Sequence, residues 1–371
     1  MRLAIVSTFP PFRGGIAQFN EAMATALEGQ GHEVVRITWS RQYPDALFPG
    51  KSQWEPGKGP SDMGCPALLD SMNPVTWRYV GRSLKQDHDV EVVVLPFWHA
   101  ALAPALRGVA KAAKRDGVRV WSVMHNAVSH DAKPWDRWLT RAFVGAVDHH
   151  FTLSQPVFDA LGLPNATNLF HPLYDNNVKK PRKTEAQRRL GIPEGKVVHL
   201  FFGLIRPYKG LDVLLQALAQ TNDTHMVVVA GECYGSWEPY QSAIDALGLG
   251  DRVMVHNEFI EDQLVPVYLG AADHVVLPYK AASQSGVTAL ALHHDLPVIA
   301  SDVGDLASTV VPELTGRLVP AGDATRLAEA MTRPWTAQPI DVQAAFNEVK
   351  KRLSWPQFAA QMTTQGPSEE A

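Results

Sequence analysis

An α/β protein of two doubly wound domains is predicted by the sequence, on three observations. Short β-branched runs alternate with helix-forming segments from the first residue onward, the pattern of βα units and parallel sheets. The 371 residues are twice a usual domain length of roughly 100–200 residues. A polar stretch holding Pro181 and several lysines, Asn176 to Lys183, sits near the middle and has the composition of an interdomain link.

Strands of the first half are predicted at Arg2–Val6, Glu33–Trp39, Val90–Leu95, Arg119–Met124 and His149–Leu153, all rich in β-branched or aromatic residues. Between the first two lies a helix, Ile16–Glu28, favoured by Ala22, Ala24, Ala26 and Leu27 and ended by Gly29 and Gly31. The second series has strands at Val197–Phe202, His225–Ala230, Val253–His256, His274–Leu277, Pro297–Ser301 and Arg317–Val319. Helices including Leu211–Ala219 and Ala324–Met331 fill its gaps. A final segment, Asp341 to Met362, is helical in composition, is broken at Ser354-Trp355-Pro356, and is followed by a frayed end from Gly366. The predicted domains are therefore 1–178 and 179–340, with 341–371 as a closing segment.

Composition narrows the function class. At 46% apolar and 19% charged the chain is neither disordered nor fibrous, and a net charge of −4 gives no general attraction for nucleic acid. Cys65 and Cys233 stand in no metal or redox spacing, which fits a reducing cytoplasm. The apolar start, Met1 to Val6, is too short for the core of a signal peptide. The longest apolar tract, Val90 to Ala110, is interrupted by Glu91, Pro96, His99, Pro104 and Arg107 and reads as a strand and a helix, not a membrane span.

Ligands of facing doubly wound domains bind at the carboxyl ends of the strands, in the crevice between the domains, so candidate chemistry is sought there. The first strand leads into a loop ending in Gly14-Gly15 at a helix start, compatible with an anion cradle or with a plain tight turn. A dinucleotide site is disfavoured, because the loop is not G-x-G-x-x-G and Thr38-Trp39-Ser40 lacks the ribose-binding acid. His125 and Asn126 follow the fourth strand, where a histidine serves either structure or chemistry.

Gly203 through Gly210 place Arg206 and Lys209 in the loop after the second domain's first strand, as solvated cations or as partners of a departing diphosphate. Ser283, Gln284, Ser285, Gly286 and Val287 open a helix, as a simple cap, a phosphate cradle, or both. Asp87-His88-Asp89 precedes its strand and reads as a solvated turn. The pairs His149-His150 and His293-His294 lack a third ligand, so no metal is predicted. Trp135, Arg137, Trp138 and Arg141 interleave aromatic and basic residues. They form either an ordinary helix with buried tryptophans or a face for an anionic membrane, to which Lys111, Lys114, Arg115 and Arg119 add.

Taken together, several segments are similar to the sugar-donor domain of retaining GT-B glycosyltransferases of the family-4 type (glycosyl transferases group 1). They are Gly203 with Lys209-Gly210-Leu211-Asp212, Ala272-Asp273 before Val275–Pro278, and Leu296 to Gly304. Gly14-Gly15, His125 and Ser354-Trp355 resemble that family's glycine loop, active-site histidine and closing helix, which packs back toward the N-terminal domain.

The resemblance implies two Rossmann-like domains facing across a cleft, the first binding acceptor and the second a nucleoside-diphosphate sugar. Lys209 would contact the diphosphate, Gly14 and Gly15 would lie near the phosphates and transferred sugar, and His125 would position that sugar. The backbone around Ser285, Gly286 and Val287 would meet the distal phosphate. The family's arginine directly follows the glycine, where this chain has Leu204, with Arg206 two residues on. The family's two glutamates eight positions apart are replaced by Ala282 and Leu290, with Ser283 or Gln284 as a substitute for the sugar contact only.

The implied reaction moves a hexose-type sugar to a glycan or lipid-linked acceptor in bacterial polysaccharide or glycoconjugate synthesis, with retention and without a metal or other cofactor. It would take place in the cytoplasm or at the inner face of the membrane. The rivals are a non-catalytic nucleotide-sugar-binding partner subunit and a nucleotide-sugar epimerase on the same fold.

Overall fold

The computed structural model describes residues 1–43, 52–126, 135–173, 179–282 and 285–366. The chain divides into two compact units, one of Met1–Pro172 with Ser354–Ala371 and one of Leu173–Leu353.

The first unit runs β1 (Arg2–Val6), α1 (Gly15–Glu28), β2 (Glu33–Arg41), β3 (Ala67–Asp70), α2 (Pro74–Gln86), β4 (Val92–Phe97), α3 (Ala103–Arg115), β5 (Arg119–Met124), α4 (Asp136–Val144), β6 (His149–Thr152), α5 (Gln155–Leu161) and β7 (Ala166–Asn168). Its seven strands are parallel in the order β3-β2-β1-β4-β5-β6-β7.

The second unit runs α6 (Lys183–Leu190), β8 (Val197–Phe202), α7 (Leu211–Leu218), β9 (His225–Ala230), α8 (Glu238–Ala246), β10 (Val253–His256), α9 (Val265–Ala271), β11 (His274–Leu277), α10 (Gly286–His293), β12 (Val298–Ser301), α11 (Leu306–Thr309), β13 (Gly316–Val319), α12 (Ala324–Thr332) and α13 (Pro339–Arg352). Its parallel order is β10-β9-β8-β11-β12-β13. The predicted closing segment divides: α13 stays with the second unit, while the last helix, α14 (Trp355–Thr364), belongs to the first. The first unit's main run also ends at Pro172, short of the predicted 178.

Strand alternation builds two cores in the first unit. On β1 and β4, Ala4, Val6, Val93 and Leu95 face one side, where α2, α3 and α4 pack. Leu3, Ile5, Val92 and Val94 face the other, covered by Phe19, Met23 and Leu27 of α1 and Trp355, Phe358 and Met362 of α14. Such near-continuous apolar runs are what a parallel sheet covered on both faces requires. Helices α2 and α3 approach closely, because a Cβ on Gly81 would lie 2.5 Å from Ala112 Cβ and 2.6 Å from Val109 O. Gly81→Val is expected to cost about 2–4 kcal/mol, read by denaturant unfolding.

In each sheet the strand order reverses once, between β1 and β4 and between β8 and β11, and the loops leaving these strands flank a natural ligand crevice. Among the described residues no helix is long and apolar enough to cross a membrane.

Candidate functional site

In the second unit the loop after β8 is locked to its neighbours by glycine contacts. Gly203 has φ +88° and donates its N–H to Ala230 O at 2.9 Å. A Cβ on Gly231, after β9, would fall 2.1 Å from Gly203 O, so only glycine allows this approach. Gly210 has φ +73°, and a Cβ there would fall 1.9 Å from Pro278 O at the end of β11. The Lys280 N–H donates to Tyr208 O at 2.7 Å, closing the β8 and β11 loops against each other. Gly210→Ala is expected to displace the Lys209 turn and lower the melting temperature, read by thermal shift.

This locking brings together residues far apart in the chain. A Cβ on Gly203 would stand 3.4 Å from Val287 Cγ2 and 3.7 Å from Lys209 Nζ, so all three surround one point. Lys209 Nζ lies 5.7 Å from the ring centre of Tyr279, which is buried beneath it. The Tyr279 hydroxyl is 3.4 Å from Ser285 Oγ, and burial raises its pKa. Ser285 caps α10, its side chain accepting from the Thr288 N–H at 3.4 Å, and the amides of Gly286 and Val287 open the helix. The Arg206 guanidinium stands 5.1 Å from the Tyr234 ring centre. Burial and the neighbouring charge of Arg206 lower the Lys209 pKa to about 8. Lys209 beside the first residues of α10, with the charge of Arg206 near enough to lower its pKa, favours an arriving anion.

Ser283 and Gln284 lie outside the described residues. Leu290 is packed into the unit on α10, so that position offers no polar group to a ribose, and Ala282 offers none to a sugar. Tyr279, Gly231 and Tyr234 are additions to the predicted set.

In the first unit Gly14 caps α1 with φ +107° and open space around it, and Gly15 begins the helix with no side-chain cap. The loop is held from behind. Phe12 stacks on Trp54 with ring centres 4.3 Å apart, the Arg13 N–H donates to Gln53 O at 2.8 Å, and Asn20 Nδ2 donates to Ser7 Oγ at 2.8 Å and Thr8 O at 2.9 Å.

His125, directly after β5, is buried edge-on to Phe19 at 4.8 Å, and its Nε2 has no hydrogen-bond partner among the described residues. Burial first, then nearby His171, lowers its pKa to about 3. It is a neutral ring that can position a group, not a proton donor at ordinary pH. Of the histidine pairs, His150 Nδ1 bonds Ser122 Oγ at 2.7 Å and His149 Nε2 bonds Thr167 Oγ1 at 2.9 Å, both within the sheet.

Helix α4 departs from an ordinary helix with buried tryptophans. Its inward face is Asp136, Thr140 and Phe143, the last stacked on Phe97 at 4.7 Å, whereas Trp135, Arg137, Trp138 and Arg141 are all exposed.

Residues 13–162 match the family described as Glycosyltransferase Family 4, and residues 196–336 match Glycosyl transferases group 1. The chain belongs to the group 1, family-4-type glycosyltransferases. This family-4-type chain is 29% identical over 192 residues to the D-inositol 3-phosphate glycosyltransferase of Mycolicibacterium smegmatis, covering 51% of this chain and 44% of that protein. It is 31% identical over 180 residues to D-inositol 3-phosphate glycosyltransferase 1 of Catenulispora acidiphila, covering 45% and 43%. The match thus spans under half the length of these relatives.

The fold is GT-B. Sucrose-phosphate synthase from Thermosynechococcus elongatus superposes with a TM-score of 0.72 at 19% identity, covering 98% of both chains. Anabaena HepE in complex with UDP-glucose superposes with a TM-score of 0.71 at 16% identity, again covering 98% of both.

Proposed function

We propose that this family-4-type chain transfers a hexose-type sugar from a nucleoside-diphosphate sugar to a glycan or lipid-linked acceptor, with retention at the anomeric carbon, in polysaccharide or glycoconjugate synthesis. The observation that carries this reading is the gathering of Lys209, Val287 at the α10 tip and Gly203 around one point, with Arg206 close enough to depress the lysine. A diphosphate placed there would meet Lys209 and the first amides of α10, with the charge of Arg206 nearby. As the glycosidic bond breaks, negative charge grows on the leaving diphosphate, and donors already oriented toward it stabilise that charge without reorganising. A phosphate oxygen of the leaving group would take the acceptor's proton. No metal is required by this set of groups.

A second reading is favoured by one observation: Leu290 is buried and Ala282 is apolar, so a chain that binds a nucleotide sugar without transferring it is the alternative. Thermal-shift screening of UDP, GDP, ADP and dTDP and their sugars tests the shared premise, since a ligand bound only by the folded state raises the melting temperature. Acceptor-dependent release of the nucleoside diphosphate, with the product anomer assigned by NMR, then separates transfer from binding. Absence of any shift would sink both readings, and a shift without release would leave only the second.

A further inference from the structure

Helices α2, α3 and α4 form one layer of the first unit, α3 packing against both of its neighbours. Their sequences hold nine lysines and arginines and a single carboxylate, Asp136, which is buried. This imbalance stands against a chain whose net charge is −4. Two of the cations are paired from outside the helices, Lys85 with Asp89 and Lys114 with Asp148. Arg78, Arg82, Lys111, Arg115, Arg137 and Arg141 are exposed.

The same layer exposes apolar and aromatic side chains at helical spacing. Val75 (73% exposed) and Tyr79 (55%) lie beside Arg78 and Arg82 on α2, with Met72 (62%) just before it. Trp138 (70%) and, just before the helix, Trp135 (57%) lie beside Arg137 and Arg141 on α4. The opposite faces are buried: Val80 and Leu84 on α2, Thr140 and Phe143 on α4. Solvation alone does not call for five large exposed hydrophobic groups among Arg78, Arg82, Arg137 and Arg141, none of which has an ion pair among the described residues.

We propose that this layer docks on an anionic lipid bilayer. The chemistry selects that occupant. Arginine and lysine are attracted to an anionic headgroup plane by about 1 kcal/mol each near the surface. Trp135, Trp138 and Tyr79 have the amphipathic rings that sit at the headgroup level, and Met72 and Val75 add apolar area to bury at the acyl boundary. The proposal does not rest on the transfer reaction, and its readout is partition alone.

The test is co-sedimentation of the full chain with vesicles of phosphatidylcholine alone or mixed with phosphatidylglycerol, at low and high salt. Binding is expected only to the mixed vesicles and is expected to weaken at high salt. The charge reversals Arg137→Glu with Arg141→Glu, and separately Arg78→Glu with Arg82→Glu, should each lower partition about tenfold or more while leaving the melting temperature near wild type. Brominated lipid in the mixed vesicles should quench tryptophan fluorescence, and Trp135→Phe with Trp138→Phe should remove most of that quenching. Equal sedimentation with neutral vesicles, no sedimentation at low salt, partition indifferent to both reversals, or retention of an RNA oligonucleotide in place of vesicles would each overturn the proposal.

Discussion

Replacing Lys209 by methionine is expected to lower sugar transfer at saturating nucleotide sugar by about 10²–10³-fold, the scale seen when one fixed donor to a developing oxyanion is removed. Its ammonium lies near Arg206, the ring of Tyr279 and Gly203, and its pKa of about 8 reflects a charge that burial and then Arg206 disfavour. Its folded value lies below the free-lysine value of 10.5, so the unfolded chain holds more protons between the two. The unliganded protein therefore gains stability as pH rises from about 8 toward 10.5. Lys209→Met removes that cost, so the variant should melt no lower than wild type while transferring far more slowly. Steady-state turnover measured beside the melting temperature separates this outcome from general damage. A slow variant that also melts early would point to misfolding.

Acid should unfold this protein early. His125 and His150 are buried with pKa values lowered to about 3 and about 4, chiefly by burial, and His171 and His274 are lowered to about 4 for the same leading reason. His199, stacked between His225 and His274, is lowered well below 6.5 by burial and then by those two rings. Trp335 Nε1 donates to His274 Nε2 at 2.6 Å, and since an indole only donates, that nitrogen must be unprotonated.

Folded values below the unfolded 6.5 mean that stability is complete above 6.5 and is lost as pH falls from there toward 4. Each fully buried histidine contributes a slope of at most about 1.4 kcal/mol per pH unit. Four of them, His125, His150, His199 and His274, would exhaust an ordinary stability of about 5–15 kcal/mol within a few pH units, placing the unfolding midpoint at about pH 4–5. Circular dichroism across pH 7 to pH 4 reads it, and a stability flat over that interval would contradict the burial of neutral rings.

The central strands were legible because a strand covered on both faces leaves a continuous β-branched run, as in Val92–Val94 and Val227–Val229. The edge strands β3 and β7 were not. Ala67–Asp70 and Ala166–Asn168 are four and three residues long and lack such a run, and register with a neighbour defines them more than composition does.

Positions in the candidate site were legible where a loop follows a predicted strand, as for Lys209 after β8. Gly231 and Tyr279 were not, because their roles arise from contacts with Gly203 O and with Lys209 across the sheet, separations that no local pattern encodes. On α4 the signal was present in the spacing of Asp136, Leu139, Thr140 and Phe143, which marks the inward face and sends both tryptophans outward.

The most direct test of the proposed diphosphate site is the proton taken up when a nucleoside diphosphate binds at pH 8.5. It is measured by titration calorimetry in buffers of different ionisation enthalpy. A diphosphate beside Lys209 should raise its pKa from about 8 and draw in roughly three-quarters of a proton at that pH, with no uptake by Lys209→Met. Binding without proton uptake, or equal uptake by the variant, would mean that the diphosphate does not sit against Lys209.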